Sequence, residues 1–397
     1  MLRQRQTVTI CGGGLSGLTL GLALHEYGIP FRIFERAPGL SEIGAGITLW
    51  SNAIAVLRHL GVAEAVRAVS EPSQGGVIGL ANGQTLLEAG AGDIGDATGQ
   101  LAIWGAHRVE LQRALYAHLP RESVHFAAPF LSYRETAAGI VAQFGQHEDV
   151  ESSLLVGADG IGSSVRAALF GAAPPRYAGY VCWRAVCPVP PGWAGVAGEF
   201  WGVGDRFGVV QLPGERLYWF AVVNAAEDSE LRRAGAIEPR GFKSFLLERF
   251  ARYRFDVPAI IEHTDATAIV FRDIIDRPPE RGWSSGAVAL VGDAAHATTP
   301  NMGQGAGMAL ESALILARCL ADSGTLRTAL ARYERTRWLR TKRITETSWM
   351  IGKMVHWEHP FARAFRDLLF QKTPPAARDR QLMQIAGYDA ATAPLAR

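Results

Sequence analysis

The sequence predicts an α/β fold: a nucleotide-binding domain, discontinuous along the chain, that carries an inserted β-sheet domain and ends in C-terminal helices. Three observations predict it. Val8-Thr-Ile-Cys-Gly-Gly-Gly-Leu-Ser-Gly17 is a short apolar strand running into G-x-G-x-x-G, with Gly12, Gly14 and Gly17 in the glycine places. From Tyr180 to about Phe271, short runs rich in Trp, Phe, Val and Tyr alternate with Pro-Gly, Gly-Asp and Pro-Gly-Glu turns, the texture of a largely antiparallel sheet. Ala287-Val-Ala-Leu-Val-Gly-Asp293 then reads as a fully buried strand, with a helix after Gly307.

In the opening motif, Gly12 permits a tight turn, Gly14 lets the backbone approach a pyrophosphate, and Gly17 lets the next helix pack closely on the sheet. Leu15 and Ser16 complete a helix N-terminus whose N–H groups and positive dipole end suit phosphates. A helical run, Leu18 to Tyr27, leads to a second strand, Phe31-Arg-Ile-Phe-Glu35. Glu35 lies about 18 residues past Gly17, where an acid can bind a ribose hydroxyl pair. Strand, helix, second strand and acid together make a Rossmann-like dinucleotide site rather than a plain glycine-rich turn. A helix is expected around Ser51–Leu60, and Pro72 ends that helical texture. Gln74-Gly-Gly76 opens short strands and turns up to about Gly99. A helix at Arg108–Leu119 precedes strands at Ser123-Val-His-Phe126 and Leu154-Leu-Val-Gly-Ala158, and the chain from Leu326 onward is helical in texture.

At 397 residues the chain has room for one large or two ordinary domains. A formal charge of +2 with both signs scattered, and no basic run, gives no sign of a nucleic-acid partner, and none is expected. Four cysteines are too few and too dispersed for a disulfide scaffold. Cys182 and Cys187 have the spacing of some flavin disulfide reductases, but positions five apart on a strand point to opposite faces, which argues against a redox pair. The first strand begins near Thr7, leaving no room for a signal peptide, and no apolar run approaches bilayer length. A cytoplasmic protein, monomer or homodimer, without a metal is expected.

Two later motifs add to the fingerprint: Val156-Gly-Ala-Asp-Gly-Ile-Gly-Ser-Ser-Val-Arg166 and Val291-Gly-Asp-Ala-Ala-His-Ala-Thr-Thr-Pro-Asn-Met-Gly-Gln-Gly-Ala-Gly307. In this order the three resemble the FAD-dependent aromatic hydroxylases, the single-component flavoprotein monooxygenases of which para-hydroxybenzoate hydroxylase is a member. The resemblance runs from Thr7 to about Arg340, with smaller matches at Glu35-Arg36, Gly44-Ala-Gly-Ile-Thr48, and Arg108 with Gln112. It implies the fold of that family, with residues 1–73, 100–179 and 280–340 as the FAD-binding domain. Residues 74–99 and 180–279 would form the β-rich substrate domain, and 341–397 a helical segment.

The resemblance also implies roles. Asp293 would hold a ribityl or ribose hydroxyl of non-covalently bound FAD. The loop Pro300, Gly303, Gln304, Gly305, Ala306 and Gly307 would bring N–H groups to the flavin's pyrimidine edge, at the start of a helix of about a dozen residues. Negative charge on reduced flavin would be stabilised there. Arg36 and Thr48 join this set. Asp159, with Arg166, resembles the motif that touches FAD and, transiently, the nicotinamide donor; a turn or helix cap is the alternative. Arg108 resembles an arginine near the flavin, or is a solvated charge. Val124 resembles the residue whose backbone meets the adenine, or is a core valine. His296 reads as structural rather than as a base.

The implied reaction uses NADH or NADPH as a visiting reductant and O₂, and passes through a flavin C4a-hydroperoxide whose distal oxygen goes to an electron-rich aromatic or heteroaromatic ring. The cofactor carries the hard step, while the protein orients the substrate and keeps water out. Gly202-Val-Gly-Asp-Arg-Phe-Gly208 has the wrong spacing for a second dinucleotide site. The chain looks most like the branch with urate hydroxylase, zeaxanthin epoxidase and the hydroxybenzoate and quinolone hydroxylases. Arg206 and Tyr218, 12 apart around the turn Pro213-Gly-Glu, resemble an Arg/Tyr pair serving substrate in the urate enzyme. Arg206 would hold a substrate anion and Tyr218 would handle a phenol proton; a surface arginine and a sheet tyrosine is the plain alternative. Other readings are an epoxidase or hydroxylase of a polyene or quinolone, and a flavin oxidase or reductase without oxygenase activity. The W-x-W-x-I-P stretch of flavin halogenases is absent. Trp338, Trp349, Met350, Met354, Trp357, Phe361, Phe365 and Leu369 recur at roughly helical spacing, as core packing, a dimer contact, a lipophilic lid or a membrane contact.

Overall fold

The computed structural model describes residues 7–40, 45–73, 75–90, 102–137, 139–238 and 242–396. The chain opens with β1 (Val8–Cys11), α1 (Leu15–Glu26) and β2 (Phe31–Phe34). Leu15 to Leu24 of α1 are all buried, as expected of a helix apolar all round. Next come β3 (Gly46–Trp50), α2 (Ser51–His59), α3 (Ala63–Ala68), β4 (Ser70–Pro72) and the hairpin β5 (Gly75–Leu80) and β6 (Thr85–Gly90). They are followed by β7 (Ile103–His107), α4 (Arg108–Tyr116), β8 (Val124–His125), β9 (Phe130–Thr136), β10 (Gly139–Phe144), β11 (Val150–Ser152), β12 (Leu154–Gly157) and α5 (Ser164–Phe170). The middle of the chain holds β13 (Arg176–Pro188), β14 (Gly198–Trp201), β15 (Asp205–Leu212), β16 (Arg216–Asn224), α6 (Glu230–Ile237), α7 (Lys243–Arg249), α8 (Val257–Glu262) and β17 (Val270–Asp276). The remainder is β18 (Ser284–Ser285), β19 (Val288–Leu290), α9 (Asp293–His296), α10 (Gly305–Asp322), α11 (Leu326–Val355), α12 (Pro360–Lys372) and α13 (Pro375–Ala386).

One sheet has the order β18-β19-β12-β1-β2-β8. It is parallel from β19 to β8, with β18 antiparallel at the edge. From β1 the chain crosses through α1 to β2 on one side, while β12 and β19 add on the other, which makes the carboxyl end of β1 a topological switch point. Val8, Ile10, Leu18, Leu155, Leu290 and Leu314 are fully buried in its core.

The second sheet, β17-β13-β16-β15-β14-β5-β6, is antiparallel except where β14 runs parallel to β5. Side-chain alternation sends Trp183, Phe207, Trp219 and Phe271 to one face, against Leu246, Phe250 and Ile260 of the α7–α8 region. Tyr180, Cys182, Arg184, Arg206, Tyr218 and Phe220 share the other face, which meets Asn301 and Trp349 of the first layer. Cys182 and Cys187 thus face opposite ways, and both are free.

The α/β fold with its large second sheet and C-terminal helices is the one the sequence predicts. Details differ. The helix expected at about a dozen residues runs for 18, because its apolar face stays buried between α1 and α11. Three helices, α6 to α8, interrupt the segment read as sheet. Gly44, and the turn region from 91 to 99, lie outside the described residues.

Candidate active site

The carboxyl ends of four strands meet. Gly12 N donates to Phe34 O (2.8 Å), Ala158 N to Cys11 O (2.8 Å) and Val291 N to Gly157 O (2.9 Å), so the Gly12 turn, Glu35, Asp159 and Asp293 surround one cleft. Gly12 has φ 109°, and a side chain on it would strike the Ala158 carbonyl. One on Gly17 would strike the Gly12 carbonyl, whereas a Cβ on Gly14 would meet nothing within 4 Å. Two glycines therefore serve packing and the third borders open space. Beside it, Leu15, Ser16 and Gly17 carry the first N–H groups of α1, which no side chain caps. Glu35 is clamped against the turn, accepting from Gly13 N (2.6 Å) and Ala37 N (2.9 Å). Arg36 is exposed, and Val124 packs into the core from the end strand opposite Ile33.

Asp293 follows Gly292, whose φ of 63° and contact with the Ser16 hydroxyl leave no room for a side chain. The Asp293 carboxylate is reachable from the cleft, yet the protein around it raises its pKa, a shift that the Arg108 charge opposes. Arg108 itself is exposed at the start of α4. The loop Pro300–Gly303 lies on β3: a Cβ on Gly303 would come within 2.8 Å of the Trp50 indole nitrogen and 3.2 Å of the Thr48 hydroxyl. That indole nitrogen is buried without a partner. No side chain caps α10 at Gly305, and the space over Gly305 is open to 3.9 Å. Ala306 is half-buried and Gly307 is pressed against Asn52. Gln304 is buried and its Oε1 accepts from Asn52 (3.0 Å).

Asp159 is a helix cap. Its Oδ2 accepts from Ser164 N (2.7 Å) and Val165 N (3.2 Å), while Oδ1 is buried without a partner. Arg166 donates to Ala294 O (3.3 Å) and Glu280 (2.6 Å), which holds α9 in place. His296 is within hydrogen-bond distance of Ser312 (2.9 Å) and is pushed down to about 3 by burial, with Arg337 adding, so it stands neutral behind the cleft.

A flavin dinucleotide fits these residues. The glycine cradle is open, two helix N-termini are uncapped, and the Asp293 carboxylate and the Trp50 indole nitrogen have no hydrogen-bond partner among the described residues. Alongside the cleft is the second sheet. Arg206 and Tyr218 share a face, but the register places them four residues apart with Phe220 between, since Arg206 opposes Val222 and Tyr218 opposes Val210. Arg206 is no surface residue: it is 1% exposed, paired with Glu199 (2.8 Å) and bonded to Asn301 (2.5 Å). Its two terminal nitrogens are engaged by Glu199 and by Asn301, whose loop it tethers, while its Nε is buried without a partner. Asn301 also donates to Tyr180 (2.9 Å) and Ser348 O (2.8 Å). Tyr218 packs against Gly46, and burial, with Cys182 adding, raises its pKa against the lowering effect of the adjacent Arg184. Arg184, Phe220 and Asn301 were not singled out from sequence. Period-two alternation from Tyr180 would have placed Arg184 on this face.

The family model described as FAD binding domain matches residues 5–177 and 272–348. Aurachin C monooxygenase/isomerase of Stigmatella aurantiaca is 40% identical over 366 residues, 92% of this chain and 94% of that protein. The 2-heptyl-3-hydroxy-4(1H)-quinolone synthase of Pseudomonas aeruginosa is 32% identical over 376 residues, 94% of this chain and 96% of its own. In fold, the structure of Klebsiella pneumoniae HpxO complexed with FAD and uric acid superposes with a TM-score of 0.87 at 24% identity, covering 97% of each chain. With its three motifs gathered at the sheet's carboxyl ends, the chain belongs to the FAD-dependent aromatic hydroxylases, a family of flavoprotein monooxygenases.

Proposed function

We propose that this flavoprotein takes electrons from NADH or NADPH and uses O₂ to hydroxylate a heteroaromatic ring bearing a ring carbonyl, of the quinolone kind. The observation that carries the substrate class is the wall formed by Tyr218, Phe220 and Val210: half-buried, largely apolar, and holding one phenol with a raised pKa. A phenol kept protonated by burial is a hydrogen-bond donor rather than a base. Tyr218 therefore orients a ring oxygen, and Arg184 beside it stabilises negative charge that gathers there. Phe220 and Val210 offer a flat aromatic ring a dry surface. The relative named for a heptyl-hydroxyquinolone supports the same class.

FAD, once reduced, supplies the oxygen activation. Around it, Gly14 with the first N–H groups of α1 would hold the pyrophosphate, Glu35 a ribose, and Asp293 a hydroxyl of the linker. Arg36, Thr48, Arg108, Val124 and Asp159 would border the same dinucleotide, the last through its unpartnered Oδ1. The backbone from Pro300 to Gly307 would meet the pyrimidine edge, where the positive end of the 18-residue α10 would favour negative charge on the flavin. Arg206 and Asn301 hold that loop against the substrate wall.

The test is NAD(P)H oxidation by the flavin-loaded protein with 2-alkyl-4-quinolones, hydroxybenzoates and urate, products being followed by mass spectrometry. A quinolone that speeds oxidation and gains one oxygen is the expected result. In Tyr218→Phe, KM for that compound should rise about tenfold, the loss of one buried hydrogen bond. Stimulation by urate or hydroxybenzoate alone would overturn the substrate class.

A further inference from the structure

The aromatic stripe at the C-terminal end divides into two parts. Trp349 of α11 packs under Arg176 and against the second sheet. α12 behaves differently. Arg366 is fully buried, donating to Val355 O (2.7 Å) and lying over Trp201, and Phe370 packs edge-on against Trp201. On the opposite side of α12, Phe361, Phe365, Leu368 and Leu369 are 81%, 61%, 52% and 47% exposed. Their spacing (i, i+4, i+7, i+8) makes one continuous apolar stripe on a 13-residue helix.

Charge identifies the partner. Between Arg335 and Ala386, with the fully buried Arg337 and Arg366 left out, nine Lys and Arg reach the surface against four Asp and Glu, although the whole chain is nearly balanced at 40 against 38. Lys353, Lys372 and Arg380 are exposed among them. An apolar stripe on a strongly basic segment is the composition of a helix that lies in the plane of an anionic lipid surface. A second copy of the chain fits less well, because two-fold pairing through α12 would set this basic segment against itself.

The position of α12 gives the contact a use. A pocket of about 430 Å³ lined by Ala178, Gly179, Tyr180, Lys353, His356 and Glu358 adjoins the α11–α12 turn. Tyr180 at this pocket bonds to Asn301, and so reaches the face that carries Arg206 and Phe220. We propose that α12 docks the enzyme on anionic membrane surfaces through Phe361, Phe365, Leu368 and Leu369, with the pocket mouth next to the lipid, where a substrate carrying an apolar chain partitions.

The test is flotation of the flavin-loaded protein with vesicles of phosphatidylcholine alone and with about a third phosphatidylglycerol. The proposal expects binding to the anionic vesicles, weakened by high salt, and little on neutral ones. The double variant Phe361→Ser/Phe365→Ser should bind at least about tenfold less while keeping its flavin content and melting temperature. Absent binding to anionic vesicles, or binding that the double variant retains, would overturn it. So would a wild-type dimer that the same substitutions split into monomers without any lipid binding.

Discussion

His296 and His356 are both held neutral by burial: the first is pushed down to about 3 with Arg337 adding, the second to about 3 with Arg206 adding. In the unfolded chain each binds a proton below about 6.5. Unfolding therefore takes up protons, and stability falls as the pH drops from about 6.5 toward 3. Each should contribute about 1.4 kcal/mol per pH unit in that window. Urea midpoints of the apoprotein should fall between about pH 6.5 and 5, and His356→Gln should remove roughly half of the histidine part of that slope. A flat profile would contradict the burial. Glu311 acts lower on the scale. Burial pushes it up, but Arg337 and Arg340 outweigh this and hold it near 2, so its contribution is lost only as pH falls below about 4.5. It also bonds to Asn52, the partner of Gln304 at the start of α10. Glu311→Gln leaves the buried Arg337 and the half-buried Arg340 uncompensated and should cost about 3 kcal/mol in unfolding free energy at neutral pH. At Asp293 the expectation differs. Asp293→Ala removes a carboxylate that faces the open cleft, so the apoprotein should melt about as the parent does, while FAD binding measured by fluorescence weakens tenfold or more, on the order of 1.5–3 kcal/mol for a charged hydrogen bond.

The glycine turn and α1 separate folding from binding at the scale of one element. Gly17→Ala forces a methyl into the Gly12 carbonyl and should prevent α1 from seating, giving little soluble or flavin-bearing protein. Gly14→Ala meets no protein atom, so the apoprotein should melt like the parent while FAD affinity drops about tenfold or more from the filled cradle. Equal flavin affinity in Gly14→Ala would move the pyrophosphate elsewhere. These elements were legible in the sequence because their signals are local: β1, α1 and β2 are spelled out by a glycine spacing and two apolar runs. Gly292–Asp293 was legible for the same reason. What could not be read depends on register across the fold. The pairing of β14 with β5 joins residues more than a hundred apart, and no local pattern marks it. Whether Arg206 is free or engaged turns on Glu199 and on Asn301, which lies 95 positions away. The cap role of Asp159 was open from sequence, since the same Asp-Gly turn serves both a helix start and a ligand. The helices α6 to α8 were missed because the aromatic residues in that stretch bury against the sheet and read as strand.

For the whole molecule, the two large sheets divide the labour. One gathers its motifs at the strand ends to hold a dinucleotide, and the other turns one face, bearing Arg184, Arg206, Tyr218 and Phe220, toward that cofactor site. The basic apolar helix α12 sits at the edge of the second sheet, beside a pocket that adjoins this face. The central claim is that these parts make an oxygenase. Its most direct test is a reaction of the flavin-loaded protein with NAD(P)H, a 2-alkyl-4-quinolone and isotopically labelled O₂, the product being analysed by mass spectrometry. The account predicts one labelled oxygen in the ring product for each NAD(P)H consumed in a coupled turnover. Unlabelled product, or consumption that yields only hydrogen peroxide with every ring compound offered, would contradict it.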